Sequence, residues 1–304
     1  MAGLFDKRLL IVTGKGGVGK STVAAGLALA CSRAGQKTLV CELSVQERIS
    51  RLLDGPQIGP EIGEIEENLW AVNIRFEDAM REYALMTLKF QSVYRAVFEN
   101  RLVRYFLRFL PSLQELVLLG KILFHERERL PSGAPRFDKI ILDAPATGHA
   151  ITFLSVPQVI VETVPAGPLY SQASLMRQAL VDPAITAAVL VSLPEELPVN
   201  ETLELDEALR TRVGIVPTAV ILNSFVSTRF SDDDLAALAP HPALAALARS
   251  RHERERASAE AYRRLDGQLA LPVHCVPRLF VDRFGRNAIA QVADHLRPAL
   301  EGRP

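Results

Sequence analysis

Cysteine is scarce in this sequence: Cys31, Cys41 and Cys275 are the only three in 304 residues, and no two form a Cys-x-x-Cys pair. Thiols so far apart do not read as a disulfide framework, which points to a reducing compartment. Lysine is scarce too, with seven against 28 arginines, and neither sign of charge is in excess, since 35 Lys+Arg balance 35 Asp+Glu. Zero net charge argues against a general binder of nucleic acid or of anionic membrane, which needs a basic surplus, but leaves room for a local basic site. No apolar run approaches the roughly 18 to 20 residues that span a bilayer. The apolar stretch near the amino terminus, Leu9 to Thr13, is short and ends in a glycine-rich turn, unlike a signal peptide. The expectation is a cytoplasmic protein with no stable membrane insertion and no nucleic-acid partner.

What is present is material for a core: 48% of residues are hydrophobic and 23% charged. Strand-length apolar runs alternate with segments of helical period, the pattern of an α/β fold with a mainly parallel sheet covered by helices on both faces. The runs predict strands at Arg8–Thr13, Thr38–Leu43, Leu69–Ile74, Lys139–Asp143, Ala187–Ser192, Thr218–Asn223 and Val273–Val276. Helices are predicted at Lys20–Ala34, Glu201–Arg212, Asp232–Leu265 (with a break at Pro240 or Pro242) and Arg286–Ala299. The alternation fails between Phe76 and Phe124, where 49 residues hold one proline and nine of the chain's 19 aromatics. That stretch reads as consecutive helices, a subdomain at about 75–130 inserted in a single domain spanning 1–304. Its segment Leu102–Leu110 is apolar around more than one helical face. Packing onto the parent domain accounts for such a face; an exposed groove for a partner protein is the alternative.

The strongest motif is Gly14-Lys15-Gly16-Gly17-Val18-Gly19-Lys20-Ser21, which fits G-x-x-x-x-G-K-[ST] and lies between an apolar strand and a helix. Glycines let backbone N–H groups close around phosphate oxygens, and the positive end of the following helix favours the same anion. Residues 14–21 together with Thr22 are therefore the expected nucleotide-binding set. Lys20 is assigned to the β- and γ-phosphates and Ser21 to Mg²⁺. A second predicted strand ends at Asp143, at the sheet edge where ligands bind in open α/β folds; this carboxylate is the second candidate for Mg²⁺. ATP and Mg²⁺ are the implied cofactors.

The form KGGVGKS, with Lys15 ahead of the usual lysine, resembles the deviant Walker A of the P-loop ATPase family that includes the arsenite-translocating and tail-anchored-protein-targeting ATPases. The run Asp143-Ala-Pro-Ala-Thr-Gly-His149 is similar to that branch's D-x-x-P-T-G-H switch, down to the trailing F-L-x-x-P. The resemblance implies a P-loop fold and a dimer, homo- or heteromeric with a paralogous ATPase, in which Lys15 reaches the partner's phosphates. It also implies that Gly148 responds to the γ-phosphate, that His149 has a switch or structural part, and that Asn223 faces adenine. The segment Val276–Phe280, with Pro277, stands at the second base-facing loop. A nucleotide-driven motion coupled to an apolar client through 76–124 follows from the same likeness.

Three features depart from the family pattern. The second strand should lead into an aspartate that orients the attacking water, yet Ser44 stands there, and a serine does not take a proton from water at neutral pH as a carboxylate does. Glu42 or Glu47 could substitute, or hydrolysis is slow, or the chain is the degenerate half of a heterodimer whose paralogue supplies the carboxylate. The thiolate clusters that zinc or a metalloid would need are missing, which argues against arsenite transport. The arginine-rich run Arg249–Arg264 is interleaved with Glu253, Glu255 and Glu260 at same-face helical spacings and reads as a self-neutralising helix.

Overall fold

The first strand, β1 (Leu9–Gly14), is buried along its whole length and pairs in parallel on both sides. The computed structural model describes residues 3–43, 47–88 (side chains to 82) and 112–302. Alternate side chains of β1 serve two cores: Leu9 and Ile11 point into one, Leu10 and Val12 into the other. A strand covered on both faces reads as a continuous apolar run, which explains LLIVTG.

Seven further strands complete one sheet: β2 (Thr38–Glu42), β3 (Gly63–Glu66), β4 (Leu69–Asn73), β5 (Lys139–Ala146), β6 (Thr186–Ser192), β7 (Pro217–Phe225) and β8 (Val273–Pro277). Their order is β3-β4-β2-β5-β1-β6-β7-β8. All neighbours are parallel except β3, which pairs antiparallel with β4 at the edge. The seven predicted strands are all present. The unforeseen one, β3, is four residues long and carries Glu64 and Glu66; short, charged strands are how sheet edges avoid further pairing, and they leave little apolar signal.

One face is covered by α1 (Lys20–Arg33) and, packed along it, the carboxyl-terminal α10 (Arg286–Glu301). Between these come α2 (Ile49–Leu52), α3 (Phe76–Leu88), α4 (Leu113–Arg127), α5 (Thr147–Thr163), α6 (Pro168–Val181), α7 (Glu196–Ala208), α8 (Asp232–Ala237) and α9 (Pro242–Gln268). Helices α5 and α6 were not among the predicted ones. The first holds Pro157 within it and is rich in β-branched residues, both of which weaken a helical reading; burial of Phe153, Leu154 and Val156 outweighs them. Helix α7 begins earlier than predicted and passes into a π-helical turn, Leu209–Val213. The predicted break near Pro240 and Pro242 separates α8 from α9. Helix α4 buries Leu116, Leu119, Ile122 and Leu123 and packs on α3, α5 and α6. The apolar run Leu102–Leu110 lies outside the described residues.

Two long-range ties fix the ends of the sheet's frame. The ammonium of buried Lys139 donates to the carbonyls of Leu4 and Phe5, each at 2.9 Å, and to that of Lys7. Burial lowers its pKa to about 8, with Cys31, Asp6 and Asp138 opposing the shift. Asp54 accepts from the Arg286 backbone N–H at 3.0 Å and from Arg283 Nη2 at 2.7 Å, so it caps α10 from the segment after β2. On α9, Arg251 pairs with buried Glu255 at 2.8 Å and Arg263 with Glu260 at 2.7 Å. No helix among the described residues is long and apolar enough to cross a membrane.

Candidate functional site

The loop from Gly14 to Gly19 leaves β1 at the carboxyl edge of the sheet and hands the chain to α1. Gly17 (φ 88°) and Gly19 (φ 93°) take left-handed conformations that side chains disfavour. A Cβ on Gly16 or Gly17 would meet nothing within 4 Å, so the space beside these two glycines is open. Gly19 is different, since a Cβ there would sit 2.2 Å from Asn223 Nδ2. Lys20 Nζ donates to the Lys15 carbonyl at 2.9 Å, closing the loop on itself. Burial pushes the Lys20 ammonium below its ordinary pKa, Asp143 partly restores it, and Arg48 adds to the lowering.

Ser21 Oγ donates to Asp143 Oδ2 at 2.6 Å. The hydroxyl and the carboxylate proposed for Mg²⁺ therefore meet directly, a hard-oxygen donor pair that suits that ion. Burial raises the Asp143 pKa, while the Ser21 hydrogen bond and the charges of Lys20 and Arg48 oppose the rise. Thr22 follows in the first turn of α1. Strand β5 does not stop at Asp143 but runs on to Ala146, so Gly148 and His149 lie in the first turn of α5 and not in a loop. A Cβ on Gly148 would meet nothing within 4 Å, and His149 is exposed.

Parallel pairing aligns Glu42 with Asp143 on one side and with Asn73 on the other. Glu42 is buried, and its Oε1 accepts from the Arg48 backbone N–H at 2.9 Å. Burial raises its pKa to about 7, opposed by the Arg48 and Ile49 N–H groups and supported by the negative charges of Asp143 and Glu47. Glu47 Oε2 accepts from the Ile58 N–H at 2.8 Å. Each carboxylate that could stand in for the missing aspartate thus has one oxygen held by backbone. Ser44 lies outside the described residues. Asn73 is fully buried with no hydrogen-bond partner for either amide atom among the described residues, a polar group at the same edge that the sequence did not single out.

Asn223 sits inside β7, not at its end, because a bulge at positive-φ Ser224 carries pairing on to Phe225. Its Nδ2 donates to the Val18 carbonyl at 2.9 Å, which joins the proposed base side to the phosphate loop. Pro277 ends β8, and the next N–H, of Arg278, bonds to Phe225 O at 2.9 Å. Beyond it Phe280 is 74% exposed, its ring 5.9 Å from the Arg278 guanidinium.

A family model described as anion-transporting ATPase matches residues 7–166, just over half of the chain. The chain belongs to the anion-transporting ATPase family. Family membership agrees with the resemblance read from KGGVGKS and DAPATGH, and with the mostly parallel sheet. ATPase BagA of Mycobacterium tuberculosis is 33% identical over 234 residues, covering 75% of this chain and 68% of the relative. A Halobacterium salinarum protein provisionally named an arsenical pump-driving ATPase is 26% identical over 246 residues, 75% of this chain and 37% of its own length. One of the same description from Chlorobaculum tepidum is 29% identical over 154 residues, half of this chain and 36% of its own.

In this anion-transporting ATPase family member, the structure brings together Gly14–Thr22, Asp143, Glu42 and Asn223; Gly148 follows β5 in the first turn of α5, and Pro277 ends β8, with three strands between β5 and β8 in the sheet. It also adds Glu201 of α7, whose Oε1 lies 2.7 Å from Lys15 Nζ. Nothing in the sequence flagged Glu201, because it lies outside every motif and meets Lys15 only once β1 and β6 pair. The three cysteines fall on α1, β2 and β8, and burial raises their thiols to about 12, 12 and 11.

Proposed function

We propose that the chain is an ATP- and Mg²⁺-dependent switch of its family. ATP draws two copies, or this chain and a paralogue, into a closed dimer in which each Lys15 reaches the other's phosphates. The observation that carries the reading is the 2.6 Å bond from Ser21 to Asp143 beneath an open glycine loop. It sets the Mg²⁺ hydroxyl and carboxylate side by side next to Lys20. On binding, phosphate oxygens replace the Lys15 carbonyl as the acceptor for Lys20. Ser21 and Asp143 would hold Mg²⁺, whose charge would offset that of the phosphates. Helices α3 and α4, with the segment between them, carry the motion to an apolar client protein in the cytoplasm. Arsenite is not the cargo we propose, since the three thiols are separated and protonated at neutral pH, whereas a metalloid needs clustered thiolates.

The test is ATP turnover by purified protein against Lys20→Ala, alone and with a paralogue. Phosphate release above the mutant's background is expected; equal rates in both settings would remove hydrolysis from the proposal. A second reading, tight ATP binding with slow or negligible hydrolysis, has its own support. Glu42 and Glu47 each have one oxygen held by the N–H groups of Arg48 and Ile58, so neither carboxylate swings toward a water without breaking that bond. Brisk turnover by the pure protein would exclude it.

A further inference from the structure

Lys15 meets a carboxylate of its own chain. Its ammonium lies 2.7 Å from Glu201 Oε1, both side chains being about one-third exposed. The backbone of the same residue accepts from Lys20, so Lys15 is held at its carbonyl and at its side-chain end. Glu201 itself stands on a fixed element. Helix α7 packs on β6, β1 and α9, and the neighbouring Asn200 accepts from Arg264 of α9 at 2.6 Å. Thr202, one residue further on, is buried, with its hydroxyl bonded to Pro198 O. The carboxylate is therefore presented by a helix anchored on both sides, while the lysine is carried by a loop whose glycines permit other backbone conformations.

We infer that Glu201 is a positioning residue, the cis counter-charge that holds Lys15 over its own loop and from which Lys15 must part when it engages a partner's phosphates. The inference rests on the dimer reading above. A carboxylate and a phosphate compete for one ammonium, so the cis pair favours the open, separate chain. Closure then requires enough nucleotide to outbid it, and Glu201 sets that threshold. An exposed ion pair is weak, so the threshold moves by roughly 1.5- to 5-fold and not by orders of magnitude.

The experiment titrates ATP with Mg²⁺ into the full chain and reads mass by light scattering. The variants are Glu201→Gln, Glu201→Asp, Lys15→Ala and the double variant Glu201→Gln/Lys15→Ala. Glu201→Gln keeps the shape and the helix, and should lower the midpoint ATP concentration for dimer formation by the factor above. Glu201→Asp should restore it toward wild type. The gain must vanish when Lys15 is absent, a dependence that a merely structural role for Glu201 would not produce. A midpoint unchanged or raised in Glu201→Gln, or lowered equally without Lys15, overturns the inference while leaving the dimer intact. A wild type that stays monomeric at saturating ATP overturns the dimer reading and this inference together.

Discussion

Replacing Gly19 by alanine tests the geometry that joins the phosphate loop to β7. Two separate penalties arise there. The backbone at φ 93° is left-handed, which costs about 1–2 kcal/mol for a residue with a Cβ. The new methyl would also lie 2.2 Å from Asn223 Nδ2, so the amide must leave and its 2.9 Å bond to Val18 O breaks, costing about 0.5–1.5 kcal/mol. Against these, alanine lowers the entropy of the unfolded chain by about 0.4–1 kcal/mol. The net loss should be about 2 kcal/mol. The two penalties separate in a double-mutant cycle with Asn223→Ala, which removes the clashing amide. In that background Gly19→Ala should cost about 1 kcal/mol, leaving a coupling of about 1 kcal/mol between the sites. Denaturant unfolding followed by the fluorescence of Trp70, the only tryptophan, measures all four variants. Strict additivity, with Gly19→Ala equally costly in both backgrounds, would refute the steric argument and leave only backbone strain.

Three further outcomes are expected. Glu42 holds its proton more tightly folded than unfolded, with a pKa of about 7 against the ordinary 4.5. Its contribution is fully present below pH 4.5 and is lost as pH rises through 7. Unfolding of wild type across that range should therefore lose up to about 3 kcal/mol relative to Glu42→Gln, which cannot titrate. Lys139→Met should leave the carbonyls of Leu4, Phe5 and Lys7 without their donor and lower stability by about 1–3 kcal/mol. Hydrogen exchange should then show faster opening near residues 3–8, and unchanged protection would count against the tie. With their thiols raised to 11 or above, all three cysteines should resist iodoacetamide at pH 8 in the native protein and react in denaturant; mass spectrometry reads the difference.

Those sites differ in how visible they are in the sequence. Gly19, Lys20 and Ser21 sit in a spacing that chemistry dictates, since a loop around phosphate needs glycines, a cation and a helix start in that order. Asp143 is legible because it closes an apolar run at a sheet edge. The seven other strands are legible because burial, on both faces for those inside the sheet, makes them mostly apolar, whereas β3 is short and charged and carries no such mark. Helix α5 was hidden by Pro157 and its β-branched residues, whose unfavourable intrinsic preference is overridden by packing. Glu201 and Asn73 were invisible for another reason. Their significance lies in what they face, Lys15 in one case and the row of Glu42 and Asp143 in the other. Such neighbours are created by strand order and cannot be read from spacing along the chain.

The position of β1 in the strand order has a practical consequence. The family model matches residues 7–166, which suggests a boundary for truncation. Yet β1 lies between β5, inside that span, and β6, outside it. A fragment ending at 166 would turn the strand that carries the phosphate loop into a bare edge. The backbone of Leu9 to Gly14 would lose the ladder it shares with Thr186–Val191. Such an edge of unpaired N–H and C=O groups invites pairing with another chain, so the fragment should precipitate or assemble, not fold as a minimal ATPase. The span that the family model matches in this protein is a record of common descent, and the smallest piece expected to stand alone is longer.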